Sequence, residues 1–556
     1  MALYIGRALV MNRIQRITHL AIVLTLLLLA APASFGARKS LRVHAIHGAY
    51  LLQPAQAHHY FTEFMQQETE ATGRHPADPW PWMIANIPWF ESSDSQFEQM
   101  YYFRWYAFQK HVVKTPTGYV ITEFLPHVPW GGYYNTIVDA APHHLYEARW
   151  LRNPQIAEQD AEFWMSPRAR AMLYSNWLVN AIYAVSLASG DRQFAIALLP
   201  AMETDVRLWI QTHQDPNGLF WSIDTRDAME KSISGNGYRP TLNSYMYGNE
   251  IALAAVAQEA GEPAAAQKYR TAARKLRARI EKYLWDPRAQ FYEVRTPRGP
   301  DSHFAHVREL LGYIPWYFNI PAKSHAVAWK QLFNPEGFAG KFGPTTAERR
   351  SPRFNFVNPD KCKWNGPSWP FATTQTLIAM ANLENRQRHL SYATHADYYR
   401  LFRAYVRSQH LRLADGKEIP WIDEDLNADT DAWITRDILI ERHSRMAGRG
   451  NYYNHSGFAD PLITGLIGLR PRSDNRIVLH PLLPHGQWNY FALDGLPYHG
   501  HLLTIVYDRS GSQYHLGRGY RLFVDGRECA SRPTLGPLTC RISPQSKSTS
   551  KNGALR

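Results

Sequence analysis

Near the middle of the chain the sequence reads Ala260-Gly261-Glu262-Pro263-Ala264-Ala265-Ala266. Glycine just after a helical pattern is a common C-terminal cap, and proline is favoured in the first turn of a helix. We therefore predict that a helix over 242–260 ends at Gly261 and that a second helix over 263–284 begins at Pro263. Two helices joined by so short a turn run antiparallel and form a helical hairpin.

Further apolar patterns with helical spacing recur on both sides of this hairpin, from Asp94 to about Arg470. They lie at 96–111, 168–189, 193–211, 307–313, 373–381 and 390–409. Helical hairpins repeated around a ring build a barrel whose long loops cluster at one end. The sequence thus predicts a mainly α barrel domain over 94–470, preceded by an N-terminal segment over 37–93.

The pattern changes after Arg470. Residues 475–480 and 501–507 are rich in β-formers, and Asp525-Gly526 is a hairpin-turn signal. We expect a small β domain over 471–542. The polar and basic stretch 543–556 is typical of a disordered tail.

The N-terminus has the pattern of a secretory signal. Arg13 and Arg16 precede an apolar run over 20–30, and small residues suited to a signal peptidase follow at Ala31-Pro32-Ala33. We expect a signal peptide over 1–36 and export to the periplasm or the medium, with no stable membrane span after cleavage. The alternative is a membrane anchor, although a spanning helix needs roughly 20 apolar residues.

The composition is that of a globular protein. Hydrophobic residues make up 45% and charged residues 20% of the 556 residues, which excludes a disordered chain and a bundle of membrane spans. The net charge of +13 fits nucleic acid, an anionic envelope surface, an acidic polysaccharide or no specific anionic partner. Export would remove nucleic acid from this set. The sequence indicates no oligomeric state.

The three cysteines exclude a disulfide-rich scaffold. Cys529 and Cys540 are close enough in sequence to form a disulfide after export. Cys362 then stays unpaired, and we interpret it as a bystander rather than a catalytic thiol.

One stretch resembles a known family signature. It reads Lys363-Trp364-Asn365-Gly366-Pro367-Ser368-Trp369-Pro370, which resembles the Trp-x-Gly-Pro-x-Trp signature of the trehalase-like six-hairpin glycosidases, among them processing α-glucosidase I and mannosylglycerate hydrolase. The resemblance covers about 90–470. It implies an (α/α)6 helical toroid and an inverting glycoside hydrolase that cleaves an oligo- or polysaccharide without a cofactor or metal.

A glycosidase needs one protonated carboxyl group and one ionised carboxylate. The loop at 218–240 offers Asp224, Asp227 and Glu230 among apolar residues, which raise a carboxyl pKa. Relatives carry Gly-x-Asp-x-Ser-Pro-Arg here, whereas this chain has Gly237 at the Asp position. The acid is then Asp227 or Glu230, or the chemistry is altered. We favour Glu230, because its neighbours are more apolar.

The loop at 419–433 offers candidates for the base. Its acids are Asp423, Glu424, Asp425, Asp429 and Asp431. Relatives place the base in a Glu-x-Tyr-x-Pro-x-Thr-Gly motif, which this chain matches at its first and seventh positions but not at the Tyr, Pro or Gly. The resemblance therefore implies that Glu424 is the base. A calcium loop is the alternative, since oxygen-bearing side chains alternate along it.

Aromatic and amide side chains are the candidate sugar contacts, because ring faces stack on sugars while polar groups bond hydroxyls. The aromatic loop at 124–136 and the Tyr453-Asn454-His455-Ser456 stretch are the clearest examples. The predicted substrate-binding residues are Trp130, Tyr134, Asn135, Arg239, Trp364, Asn365, Trp369, Trp421 and His455. His143, His144 and Glu147 could mimic a metal site, but we expect none there.

The sequence thus favours an exported glycoside hydrolase. Two alternatives remain open, a polysaccharide lyase on the same toroid that uses Tyr and His, and a carbohydrate-binding protein that has lost catalysis.

Overall fold

The computed structural model of the chain describes residues 51–356, 362–387 and 390–543. By its internal contacts the chain divides after His47, and all described residues belong to the unit that begins at Gly48. The predicted signal peptide, part of the N-terminal segment and nearly all of the predicted tail lie outside the described residues.

Helices dominate the described chain. Two precede the barrel, α1 (His58–Thr72) and α2 (Trp80–Asn86). The others follow as α3 (Ser95–Gln109), α4 (Ala141–Ala148), α5 (Gln155–Trp164), α6 (Leu178–Ser189), α7 (Arg192–His213), α8 (Pro240–Glu259), α9 (Pro263–Tyr283), α10 (Ile314–Tyr317), α11 (Pro370–Arg386), α12 (His395–Ser408), α13 (Ile434–Glu441) and α14 (Ala459–Pro461). A 3-10 turn at Leu310–Tyr313 leads into α10, and α14 continues as a π-helix at Leu462–Ile467.

Six elements form a closed inner ring, namely α4, α6, α8, α10, α11 and α14. Each packs against the next along the chain, and α14 packs against α4. Outer helices such as α5, α7, α9 and α12 alternate with them along the chain. This is the (α/α)6 toroid.

Burial separates the two layers. In α8, 15 of 20 residues are buried, including polar ones. In α9, which follows it, five of 21 are buried and they lie at helical spacing. A helix buried on most sides belongs to the inside of a barrel, whereas an amphipathic one belongs to its surface. The two helices meet at Gly261, whose φ of 79° is left-handed as a glycine cap permits.

Short antiparallel hairpins lie between the helices. They are β2 (Val112–Thr115) with β3 (Gly118–Ile121), β4 (Trp285–Asp286) with β5 (Phe291–Tyr292), β6 (Arg295–Thr296) with β7 (His303–Phe304), and β8 (His410–Arg412) with β9 (Glu418–Pro420).

The C-terminal region is a small β structure, as expected. Its strands are β10 (Arg476–Leu479), β11 (Tyr490–Tyr498), β12 (His501–Asp508), β13 (Gly519–Val524), β14 (Arg527–Arg532) and β15 (Leu538–Arg541). The main sheet has the order β1-β11-β12-β13-β14, in which β1 (Trp89–Ser92) comes from the N-terminal segment. The chain turns between β13 and β14 at the predicted Asp525-Gly526, and Cys529 is bonded to Cys540.

One helix prediction was wrong in extent and a second was wrong in type. The helix expected over 168–189 begins only at Leu178, because the Asn176 side chain accepts the Leu178 N–H at 3.1 Å and fixes the start there. The stretch 307–313 is not an α-helix, since Leu310 N–H is donated to Thr346 at 2.8 Å. Among the described residues, no helix combines the length and apolarity that crossing a membrane requires.

Candidate active site

The loops that enter the inner ring bring the candidate residues together. Inner helices run parallel because an outer helix of opposite direction separates each from the next, so their N-termini share one end of the toroid. Predicted and newly found side chains lie shortly before these N-termini: Asp139 before α4, Tyr174 before α6, Glu230 before α8, Trp364 and Trp369 before α11, and Tyr453 and His455 before α14.

Four carboxyl groups interact at this end. Burial, followed by the charges of Asp139, Glu424 and Glu230, raises the pKa of Glu123 well above its usual range. Glu123 is 2% exposed and accepts a hydrogen bond from the Tyr453 hydroxyl. Neighbouring carboxylates within electrostatic reach of one another cannot all be ionised freely. The site therefore holds at least one carboxyl group that keeps its proton.

Glu230 has the environment of a proton donor. Burial raises its pKa to about 7, with Asp139 and Asp224 adding to the shift and Lys231 opposing it. The side chain remains partly exposed, so it can meet a substrate. Its backbone carbonyl accepts the Trp364 N–H at 3.2 Å. This hydrogen bond connects the loop at 218–240, here called the acid loop, to the tryptophan signature.

Glu424 lies in an ion pair. Arg449 donates from Nε to Oε1 at 2.5 Å and from Nη2 to Oε2 at 2.8 Å, and both side chains are nearly inaccessible. The Cys362 thiol also donates to Oε2, at 3.0 Å. Burial and the charge of Glu424 raise the pKa of this thiol, so it stays protonated. The arrangement stabilises a negative charge on Glu424.

Asp227 and Arg239 shape the acid loop from inside. Both are 0% exposed and form an ion pair, and the Thr241 hydroxyl also donates to Asp227. Arg239 further donates to Asp224 at 3.1 Å and to the Gly235 carbonyl at 2.5 Å. The polar atoms of both side chains are thus engaged by partners in this loop and at the start of α8.

Two of the predicted tryptophans form a stack beside a histidine. The rings of Trp364 and Trp369 lie 4.4 Å apart at 9°, and His455 is 5.8 Å from Trp369. Both ring nitrogens of His455 lack a hydrogen-bond partner in the described parts of the chain, although the residue is 2% exposed. The buried Oδ1 atom of Asn365 also lacks a hydrogen-bond partner among the described residues. Buried polar atoms of this kind are suited to bonding a ligand.

The other predicted binding residues have different surroundings. Trp130 is partly exposed, and Arg449 lies over its ring at 5.3 Å. Asn135 is used inside the aromatic loop, where it accepts the Val128 N–H at 3.0 Å and donates to the Pro126 carbonyl at 3.0 Å. Tyr134 is half-buried with a left-handed φ of 58°. Trp421 is 0% exposed and packs on Tyr452.

The two metal-like patterns from the sequence have protein partners instead. In the 419–433 loop, Asp425 accepts the Thr435 N–H at 3.2 Å and Asp429 pairs with Arg349 at 2.6 Å. Glu147 accepts the Phe458 N–H at 2.7 Å and pairs with Arg104. Acidic side chains of both patterns are thus engaged by protein groups.

Comparison with known proteins gives the family. Residues 133–456, more than half of the chain, match the mannosylglycerate hydrolase MGH1-like glycoside hydrolase domain. The chain belongs to this family. The match confirms the resemblance carried by the tryptophan signature, and in this member of the MGH1-like family it extends from Tyr133 in the aromatic loop to Ser456. Residues 469–530 match the C-terminal domain of glycosyl hydrolase family 65.

Solved structures are similar to the MGH1-like chain as well. A protein named "Sialidase" is 40% identical with a TM-score of 0.81, over 88% of this chain and 45% of that one. The chain thus spans less than half of that protein. The GH63 mannosylglycerate hydrolase from Thermus thermophilus in complex with glucose is 13% identical with a TM-score of 0.47, over 65% of this chain and 98% of that one.

Sequence reasoning missed Tyr174, Glu123, Asp139 and Arg449. Glu123 and Asp139 flank the aromatic loop at 124–136, and that position was a usable signal. Arg449 lies 25 residues beyond Glu424 with no motif around it. Only the fold reveals that these two side chains meet.

Proposed function

We propose that this chain hydrolyses a glycosidic bond, with Glu230 as the general acid and Glu424 as the general base. The supporting observation is that two carboxyl groups of one site have opposite environments. The pKa of about 7 lets Glu230 keep a proton near neutral pH, whereas both oxygens of Glu424 are held in an ion pair with Arg449. Such a pair is what acid and base catalysis at a sugar bond requires.

The proposed reaction proceeds with inversion. Glu230 donates its proton to the departing glycosidic oxygen as the bond from that oxygen to the anomeric carbon breaks. Glu424 accepts a proton from the water whose oxygen attacks the opposite face of that carbon. Carboxyl groups about 6.5 to 9.5 Å apart leave room for this water. The Trp364–Trp369 stack and His455 then bind the sugar ring and its hydroxyls.

The names of similar proteins suggest candidate substrates for this chain. The family is named for a hydrolase of mannosylglycerate, and the sialidase-named protein is more than twice as long as its matched part. We therefore propose a small saccharide or oligosaccharide substrate. Mannosylglycerate and a sialoside are the first compounds to test.

A substrate screen with an inactivated variant tests the proposal. Anomer-resolved NMR of the first products would show a free sugar of inverted configuration for wild type. Glu424→Gln should still bind the substrate. Its turnover should be at least about 10²-fold slower than that of wild type, because an amide cannot accept the proton. Glu441→Gln, the same change at an exposed glutamate of α13, is the matched control. Turnover by Glu424→Gln at the wild-type rate would contradict the role of Glu424.

The same screen separates the alternatives. An unsaturated, ultraviolet-absorbing product would indicate a polysaccharide lyase. Saturable binding without any product, by a folded protein over a broad panel, would indicate a carbohydrate-binding protein.

We also propose that the chain is exported, on the basis of the N-terminal pattern at residues 1–36. N-terminal sequencing of protein from the periplasm or medium of a Gram-negative host should give a start near Ala33 or Gly36. A start at Met1 or Met11 would contradict export with cleavage.

A further inference from the structure

A second group of ligand-type side chains surrounds the β4–β5 hairpin. Asp286 lies in β4, Glu293 directly follows β5, and His306 follows β7. One carboxylate oxygen of each acid and one ring nitrogen of the histidine lie within 4.8 Å of one another. Ligands around a tetrahedral zinc ion at about 2.1 Å are about 3.4 Å apart, so a small closing movement would complete the geometry.

One carboxylate oxygen of the buried Glu293 lacks a partner. Glu293 is 3% exposed, and its Oε2 atom has no hydrogen-bond partner in the described parts of the chain. Asp286 is 4% exposed and raises the pKa of Glu293, after burial itself. A buried carboxylate oxygen without a donor, beside a second carboxylate, is costly unless one of the two takes up a proton or a cation joins them.

The neighbouring basic side chain, Arg308, does not neutralise the two carboxylates. Arg308 opposes the pKa shift of Glu293, but its guanidinium is paired with Glu348 at 2.8 Å and donates to the Ala289 carbonyl. Asp286 accepts a backbone N–H, that of Arg288, at 2.7 Å. Two carboxylates and one imidazole therefore face one small volume.

We propose that Asp286, Glu293 and His306 bind one divalent transition-metal cation of the zinc class. The imidazole nitrogen favours such a metal over calcium, which takes six to eight oxygen ligands. His306 is exposed, so the cation can enter from solvent and water can complete its coordination.

The site would brace the acid loop. His306 lies three residues before Glu309, whose carboxylate accepts the Ile233 N–H at 2.7 Å and the Ser234 N–H at 3.3 Å. Those amides belong to the loop that carries Glu230. A cation that fixes His306 relative to the β4–β5 hairpin would hold Glu309, and through it the loop, in place.

Calorimetric titration of the tag-free, chelator-treated full chain tests the site. We expect one zinc ion per chain, bound more tightly than calcium. His306→Ala should weaken zinc binding about 10- to 100-fold. The matched control is His303→Ala, an exposed histidine of β7 outside the cluster, which should bind zinc as wild type does.

Three results would overturn the proposal: no 1:1 zinc binding, equal affinity in His306→Ala and wild type, or tighter binding of calcium than zinc. Because the exposed His306 can be replaced without disturbing the core, the test does not depend on the folding of Glu293→Gln. Hydrogen exchange gives a second readout without activity. Zinc should slow exchange of the Ile233 and Ser234 backbone amides in wild type and not in His306→Ala. An equal effect in both proteins would contradict stabilisation of the loop by zinc.

Discussion

The carboxyl groups of Glu123 and Asp139, which lie at the two ends of the aromatic loop, interact electrostatically, and the charge of Asp139 raises the pKa of Glu123. Two neighbouring carboxylates disfavour each other's ionised form, so one of the pair keeps its proton. Burial raises the pKa of Asp139 to about 6 and that of Glu123 well above its usual range. Near neutral pH Glu123 therefore keeps its proton, and the charge of the ionised Asp139 raises the pKa of Glu230.

The first prediction concerns the pH dependence of wild type. A general acid works only while protonated, so activity should fall as the pH rises through the pKa of Glu230, which is about 7. The measurement is kcat/KM against pH on a natural glycoside. A basic limb above pH 9 would contradict the assignment of Glu230.

The second prediction uses Asp139→Asn. The charge of Asp139 is the largest contribution to the Glu230 pKa after burial, and removing it should move the basic limb to lower pH by about 0.5 to 1 unit. Glu123→Gln is the matched control. It replaces a group that is already neutral near pH 7, so its basic limb should stay close to that of wild type. Equal shifts in the two variants would refute this account of the pair.

The third prediction separates Glu230 from Asp227. Glu230→Ala should lower kcat/KM by about 10²- to 10⁴-fold on a natural glycoside. The loss should be far smaller on an aryl glycoside, whose good leaving group needs no proton. Asp227→Ala leaves Arg239 buried without its partner, so it should instead lower the free energy of unfolding by about 3 to 5 kcal/mol. Leaving-group selectivity in Asp227→Ala would transfer the role of acid to Asp227.

The fourth prediction concerns stability. Asp205 of α7 is 7% exposed, and burial alone raises its pKa to about 7. Its folded-state pKa is above its unfolded one, so its contribution to stability is complete below about pH 4 and is lost as the pH rises through 7. An asparagine at position 205 does not titrate. The free energy of unfolding of Asp205→Asn at pH 8 should therefore exceed that of wild type by about 1 kcal/mol or more.

The check on Asp205→Asn is thermal unfolding at pH 4.5 and pH 8. The gain should be present at pH 8 and small at pH 4.5, and Asp301→Asn at an exposed position should show none at either pH. A pH-independent gain would mean that packing rather than ionisation is responsible.

The sequence allowed the toroid to be predicted because its hairpins are locally encoded. The Gly261 cap and Pro263 define one hairpin without any tertiary information, and the Trp364–Trp369 signature fixes the family. The extent of α6 was less accessible, because the Asn176 side chain limits it. The pairing of Glu424 with Arg449 and of Asp227 with Arg239 could not be predicted, since loop conformations bring these groups together.

Closure of the inner ring also has a consequence for biosynthesis. The Phe458 N–H reaches the carboxylate of Glu147, 311 residues earlier in the chain. A nascent chain cannot make this contact until nearly the whole barrel has left the ribosome, so the apolar inner helices stay open to solvent until late in translation. Contacts of such long range slow folding. Truncated chains that end before α14 should therefore aggregate, and the complete chain should refold slowly.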